Sequence, residues 1–138
     1  MSSIRPVAAP VCALSGPGML VVRALRRGQW APPPSATGRA MLGAYVLAVA
    51  VIEETLYRGP VSRYAGQERP VAALVTAAAS VSGFVALHVR RDGRRAVLPH
   101  LVNAGCWTCS ALLGRTIRWS IAAHSVYNYA AMSVRARP

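Results

Sequence analysis

An all-α, polytopic transmembrane helical bundle is the fold class this sequence predicts, and three observations predict it. Hydrophobic residues make up 54% of the 138-residue chain and charged residues only 14%, whereas soluble domains run at about 25% charged. All 16 basic residues are arginines, grouped at 23–27, 58–69, 90–95, 115–118 and 135–137 apart from Arg5 and Arg39. Between the groups lie apolar runs near the ~20 residues that a helix needs to cross a bilayer. A nucleic-acid binder of net charge +12 would carry its arginines along one face or one helix period. Here they bracket the apolar runs, so the expected partner is the lipid bilayer and not a nucleic acid.

Residues 6–22 are uncharged but hold Pro6, Pro10, Gly16, Pro17 and Gly18. A proline-broken segment is a poor spanning helix, so an interfacial or partly inserted segment is expected. No small-x-small cleavage site precedes Arg23, and no cleaved signal peptide is expected. Arg23, Arg26 and Arg27, then Pro32-Pro33-Pro34-Ser35, read as a basic, extended linker. The chain therefore divides into an N-terminal segment, 1–36, and a transmembrane core, 37–138.

The first span runs from Ala40 through Ile52 and on to Tyr57, ending at Gly59-Pro60. The second, Val71–Val89, is opened by Pro70 at a first-turn position and closed by Arg90-Arg91-Asp92-Gly93-Arg94-Arg95. The third is Ala96–Gly114, with Pro99 near its start. The fourth, Trp119–Val134, is short, with Trp119, Tyr127 and Tyr129 as interface anchors or packing aromatics. Arginine counts place the linker, the 90–95 loop and the C-terminus, with Arg135 and Arg137, on the cytoplasmic side. Cys106-x-x-Cys109 lies inside an uncharged run with no second pair to complete a zinc site, so both cysteines read as small packing residues.

Three polar clusters interrupt the apolar spans, where carboxylates and imidazoles are expensive and persist mainly where they work. In Glu53-Glu54-Thr55-Leu56-Tyr57-Arg58, Glu54 and Arg58 are i,i+4 neighbours, while Glu53 points about 100° away. One carboxylate is then held ionised by Arg58 and the other meets a different partner; a snorkelling helix end is the simpler alternative. Phe84 stands one turn before His88 on the same helix face, and a lone histidine before Arg90-Arg91 also fits an interface residue. His124 and Asn128 are i,i+4, two donors suited to an oxyanion or to interhelical hydrogen bonding. His100 and Asn103, i,i+3 on the third span, read as an interhelical polar pair.

Taken in order, E-E-x-x-x-R, F-x-x-x-H and H-x-x-x-N on successive spans resemble the CPBP family of intramembrane endopeptidases (CAAX protease and bacteriocin-processing), also known as the Abi family. The motifs are complete at Glu53, Glu54 and Arg58, at Phe84 and His88, and at His124 and Asn128. The approach to the last, Ser110–Asn128, is also similar to the family's, and the resemblance covers about 40–132.

The resemblance implies that Glu53 and His88 activate a water, that His124 and Asn128 stabilise the oxyanion, and that Glu54 and Arg58 give electrostatic support. No cofactor is implied. A zinc-centred version, with Glu53, His88 and His124 as a His₂-Glu set, is the alternative. Family members usually carry more helices, which makes a shortened chain, or a partner or second copy completing the bundle, an expectation. The all-arginine, alanine-rich composition points to a bacterial plasma membrane and a membrane-associated peptide or protein substrate. The competing reading is a non-catalytic immunity or scaffold protein that keeps the polar network for packing.

Overall fold

Five helices make up most of residues 5–27 and 29–134, the part that the computed structural model describes. They are α1 (Arg5–Arg26), α2 (Ala36–Gly66), α3 (Pro70–Asp92), α4 (Val97–Gly114) and α5 (Arg118–Met132), with a 3-10 turn at Arg94–Ala96 between α3 and α4. The expected all-α bundle is what forms, with no strand among the described residues. Helices α2, α3 and α4 (the last with its preceding 3-10 turn) are long and apolar enough to cross a membrane.

Local chemistry sets the element boundaries. Ser35 caps α2, its Oγ accepting from the Gly38 N–H at 2.9 Å. Pro70 opens α3 at N1, where a missing N–H costs nothing. Gly93, at φ +83°, ends α3 in a conformation that favours glycine.

Three expectations are corrected. Residues 6–22 were expected to be broken by their prolines, yet Arg5–Arg26 is one helix that packs on α4 and α5. In the same way α2 does not stop at Gly59-Pro60 but continues to Gly66 with Pro60 inside it. For α2, long and apolar enough to cross a membrane, no water is there to take up freed backbone groups, and a prolyl residue is tolerated inside the helix; α1 keeps its prolines while packed on α4 and α5. The fourth span, expected to be short, is not among the helices long enough to cross a membrane. Helix α5 has 15 residues, about 22 Å at 1.5 Å per residue, against ~30 Å of hydrocarbon. Arg135 and Arg137, counted to the cytoplasmic side, lie outside the described residues.

Helix α4 is packed against all four other helices. Among the described residues, nine of the thirteen buried hydrophobic ones are alanines, which let backbones approach closely, as lipid-embedded helices must when no hydrophobic effect drives them together. The larger buried side chains, Phe84 and Trp107, join Ala13, Ala104 and Ala123 in one cluster. The surface is reversed relative to a water-soluble protein. Leu47, Ile52, Leu56, Leu74 and Leu98 are exposed, while Glu54, Arg58, His88, His124 and Asn103 are buried. That reversal suits a lipid surround.

Cys109 is exposed and Cys106 half-buried, both as free thiols, with Ser15 Oγ 3.5 Å from Cys106 Sγ. Only Cys106 thus meets the packing role expected of the pair.

Candidate active site

The three polar clusters arrive from three helices. Glu53, Glu54 and Arg58 come from α2, Phe84 and His88 from α3, and His124 and Asn128 from α5, while α4 supplies Trp107 and His100 behind them. They surround a cavity of about 360 Å³ whose wall includes Glu53, His88, His124, Asn128, Tyr45 and Tyr127.

The two adjacent glutamates part as the helix rotation requires. Glu54 is fully buried. Its Oε1 accepts a hydrogen bond from His124 Nδ1 at 2.8 Å and stands 3.3 Å from Arg58 Nη1. Arg58 is likewise fully buried. Its guanidinium lies 4.3 Å from the Phe84 ring centre and 5.6–5.7 Å from those of Trp107 and Tyr57. A charge sealed in the interior needs a counter-charge, and Glu54 supplies it with the aromatic faces adding cation–π attraction. Glu53, on the neighbouring helix face, turns instead into the cavity, where its Oε2 is 3.7 Å from His88 Nε2 and 3.5 Å from His124 Nε2.

Hydrogen bonding settles which ring nitrogens hold protons. His88 Nδ1 is 2.9 Å from the Phe84 carbonyl oxygen, which can only accept, so Nδ1–H donates. His124 Nδ1 must likewise donate to the Glu54 carboxylate. In neutral imidazoles the Nε2 atoms then carry lone pairs. Three acceptors, Glu53 Oε2 and two Nε2, converge at separations too long for direct hydrogen bonds and suited to a shared proton or a bridging water. Glu53 Oε2 is buried without a hydrogen-bond partner among the described residues.

One expectation changes in detail here. His124 and Asn128 were read as two donors on one face, but the Nδ1–H of His124 is committed to Glu54. Its cavity-facing Nε2 donates only when the ring is protonated.

Aromatic stacking fixes the rings. Phe84 stacks on His88 at 4.0 Å and Trp107 on His124 at 4.2 Å, centre to centre. Trp107 was not anticipated from the sequence, nor was the cavity position of Asp92 or Tyr45. His100, expected to pair between helices, does so by bonding Asp92 Oδ2 through Nε2 at 2.9 Å, but on the cavity wall and 4.8 Å from the His88 ring. A signal was present: His100 and Trp107 are seven apart, on one face of α4. Arg91, bonded to Asp92 at 2.8 Å, stands at the cavity's exposed rim. Among the described residues no group of three or more His, Cys, Asp and Glu side chains is arranged to hold a metal ion, so the His₂-Glu zinc alternative gains no support.

Residues 35–130 match the Rce1-like family, the type II CAAX prenyl endopeptidases. The chain belongs to this family. That range takes in every polar cluster above, and membership makes the chain a protease embedded in a membrane and directed at membrane-associated substrates. No curated protein and no solved structure matches it.

Proposed function

We propose that this Rce1-like protein is a glutamic-type intramembrane endopeptidase, hydrolysing a peptide bond in a membrane-associated protein or peptide with a water activated by Glu53 and His88. The observation that carries the reading is the convergence of Glu53 Oε2, His88 Nε2 and His124 Nε2 at 3.5–3.7 Å on a cavity inside an apolar-surfaced bundle. A water held between Glu53 Oε2 and His88 Nε2 offers one hydrogen to each, leaving an oxygen lone pair for the substrate, while a protonated His124 keeps its Nε2–H for the oxyanion.

Chemically, the water oxygen bonds to the peptide carbonyl carbon as its proton passes to Glu53. The carbonyl electrons move to oxygen, which receives hydrogen bonds from protonated His124 Nε2 and the Asn128 amide. Collapse of the adduct breaks the C–N bond, and Glu53 returns the proton to the leaving amine. Preorganised donors in a site of low dielectric are worth far more than in water, about 2.7–4 kcal/mol each in measured cases. Glu54 and Arg58 touch neither substrate nor water; Glu54 orients His124 through its Nδ1, as a buried carboxylate does for a catalytic imidazole.

Residues 37–138 form the protease core in this reading, supported by the matched range of 35–130. Segment 1–36 buttresses it through Ala9 and Ala13, buried where α1 meets α4 and α5. The all-arginine, alanine-rich composition supports a bacterial plasma membrane as its setting.

The test is hydrolysis in ¹⁸O-water by the full chain in liposomes, with membrane-anchored peptides as substrates. One ¹⁸O in each new carboxyl group is expected. Absence of label in the product, or cleavage undiminished in His124→Ala, contradicts the reading.

A further inference from the structure

At the other end of α3 from the catalytic cavity, about 22 Å along the helix from His88 to Ala73 at 1.5 Å per residue, lies an open groove that the reaction does not use. Its volume is about 450 Å³, and its walls are Ala73 and Leu74 of α3 and Leu112 and Leu113 of α4, with Arg69 and Arg115 at its top. The α2–α3 turn and the α4–α5 turn meet there. Those turns join membrane-spanning helices, which sets the arginines at headgroup level and the leucines at acyl depth.

We propose that this groove binds one anionic phospholipid, with its phosphate between Arg69 and Arg115 and an acyl chain along Leu74, Leu112 and Leu113. Charge complementarity argues for this occupant. This end of the bundle carries Arg63, Arg69, Arg115 and Arg118 against a single acid, Glu68. Arg69 makes no ion pair among the described residues, and its guanidinium lies 5.5 Å from the centre of the Tyr64 ring, which leaves it able to take a phosphate. Arg115 Nη2 reaches Glu68 Oε1 at 3.3 Å, but that pair is open to solvent, with Glu68 76% exposed. An exposed pair of this kind holds with little energy and yields to a doubly charged arginine clamp on phosphate.

The backbone agrees. Glu68, at φ +57°, and Arg115, at φ +52°, are the two non-glycine residues of positive φ among the described residues. Both left-handed turns sit at this groove, and together they bring the two arginine-bearing loops over it. The first turn of α3 adds N–H groups that no side chain caps and the positive end of a helix dipole.

The experiment is native mass spectrometry of the full chain released from nanodiscs of equal phosphatidylglycerol and phosphatidylcholine. Wild type is expected to retain one phosphatidylglycerol at least five-fold over phosphatidylcholine. Arg69→Gln/Arg115→Gln should lose that preference, whereas Arg94→Gln/Arg95→Gln, with the same charge removed at the opposite end, should keep it. Glu68→Gln, which frees Arg115 without removing a cation, should raise retention two-fold or more. Leu113→Trp, which fills the groove with both arginines intact, should abolish it, and millimolar inorganic phosphate should not displace the lipid. No headgroup preference in wild type, equal loss in both double variants, or weaker retention in Glu68→Gln overturns the proposal.

Discussion

Glu54→Gln is a sharp perturbation because it changes a charge and almost nothing else. Glu54 is wholly buried and its Oε1 serves both His124 Nδ1 at 2.8 Å and Arg58 Nη1 at 3.3 Å. Glutamine keeps a carbonyl oxygen for His124 but leaves Arg58, also wholly buried, without a counter-ion. The Phe84 face at 4.3 Å offsets about 2 kcal/mol of that at most, and breaking one side of a buried pair costs about 3–5 kcal/mol. A loss of roughly 3 kcal/mol in unfolding free energy is therefore expected. The double variant Glu54→Gln/Arg58→Met removes the orphaned charge and should recover most of it, because replacing both members of a buried pair is often close to neutral. Activity should not recover with stability, since His124 still lacks its anionic partner. The assay is denaturant or thermal unfolding of the chain in one detergent, with cleavage measured in parallel in liposomes. If Glu54→Gln unfolds like wild type, or Arg58→Met fails to rescue it, the buried ion pair does not have the role assigned to it.

Trp107→Leu removes the ring stacked on His124 and should lower turnover about ten-fold, on the order of the 0.5–1.5 kcal/mol such a stack supplies, with substrate KM nearly unchanged. Asn128→Ala, which takes away one oxyanion donor, should cut turnover by about 10²–10³ while leaving the unfolding transition in place. Gly114→Val forces a side chain toward Ala9 Cβ, which a Cβ at Gly114 would meet at 3.2 Å; a loss of about 1–3 kcal/mol from overpacking is expected by thermal unfolding. Cleavage should survive dialysis against excess chelator, and restoration of a chelated sample by Zn²⁺ alone would count against a glutamate-centred site.

Much of the candidate site was legible because its chemistry is local to each helix. The i,i+4 spacing of Glu54 and Arg58 foretold their ion pair, and the helical rotation between Glu53 and Glu54 foretold their separate partners. Phe84 and His88 stack as one turn of α3 dictates. What escaped depends on how helices meet. His100 and Asp92 lie on either side of the turn at Gly93, and only its φ of +83° brings them to 2.9 Å. Trp107 meets His124 across the α4–α5 contact, and nothing in either helix alone names the partner. The prolines misled for a different reason. Pro10, Pro17 and Pro60 read as helix breakers by rules drawn from water, whereas helices packed on their neighbours carry them. Trp119–Val134 was read as a short fourth span; α5 starts at Arg118 and ends at Met132, after which Ser133 hydrogen-bonds back to α5 and to residue 31.

Glu53 is the base in the proposed reaction. Its carboxylate stands 3.5–3.7 Å from two imidazole nitrogens and forms no ion pair with an arginine among the described residues, so Glu53→Gln places an amide donor before acceptors and should fold about as well as wild type. The decisive measurement is the single-turnover cleavage rate of that variant in liposomes beside wild type, with unfolding of both recorded. A fall of at least 10³-fold at unchanged stability is predicted. A Glu53→Gln protein that cleaves within ten-fold of wild type would contradict the claim.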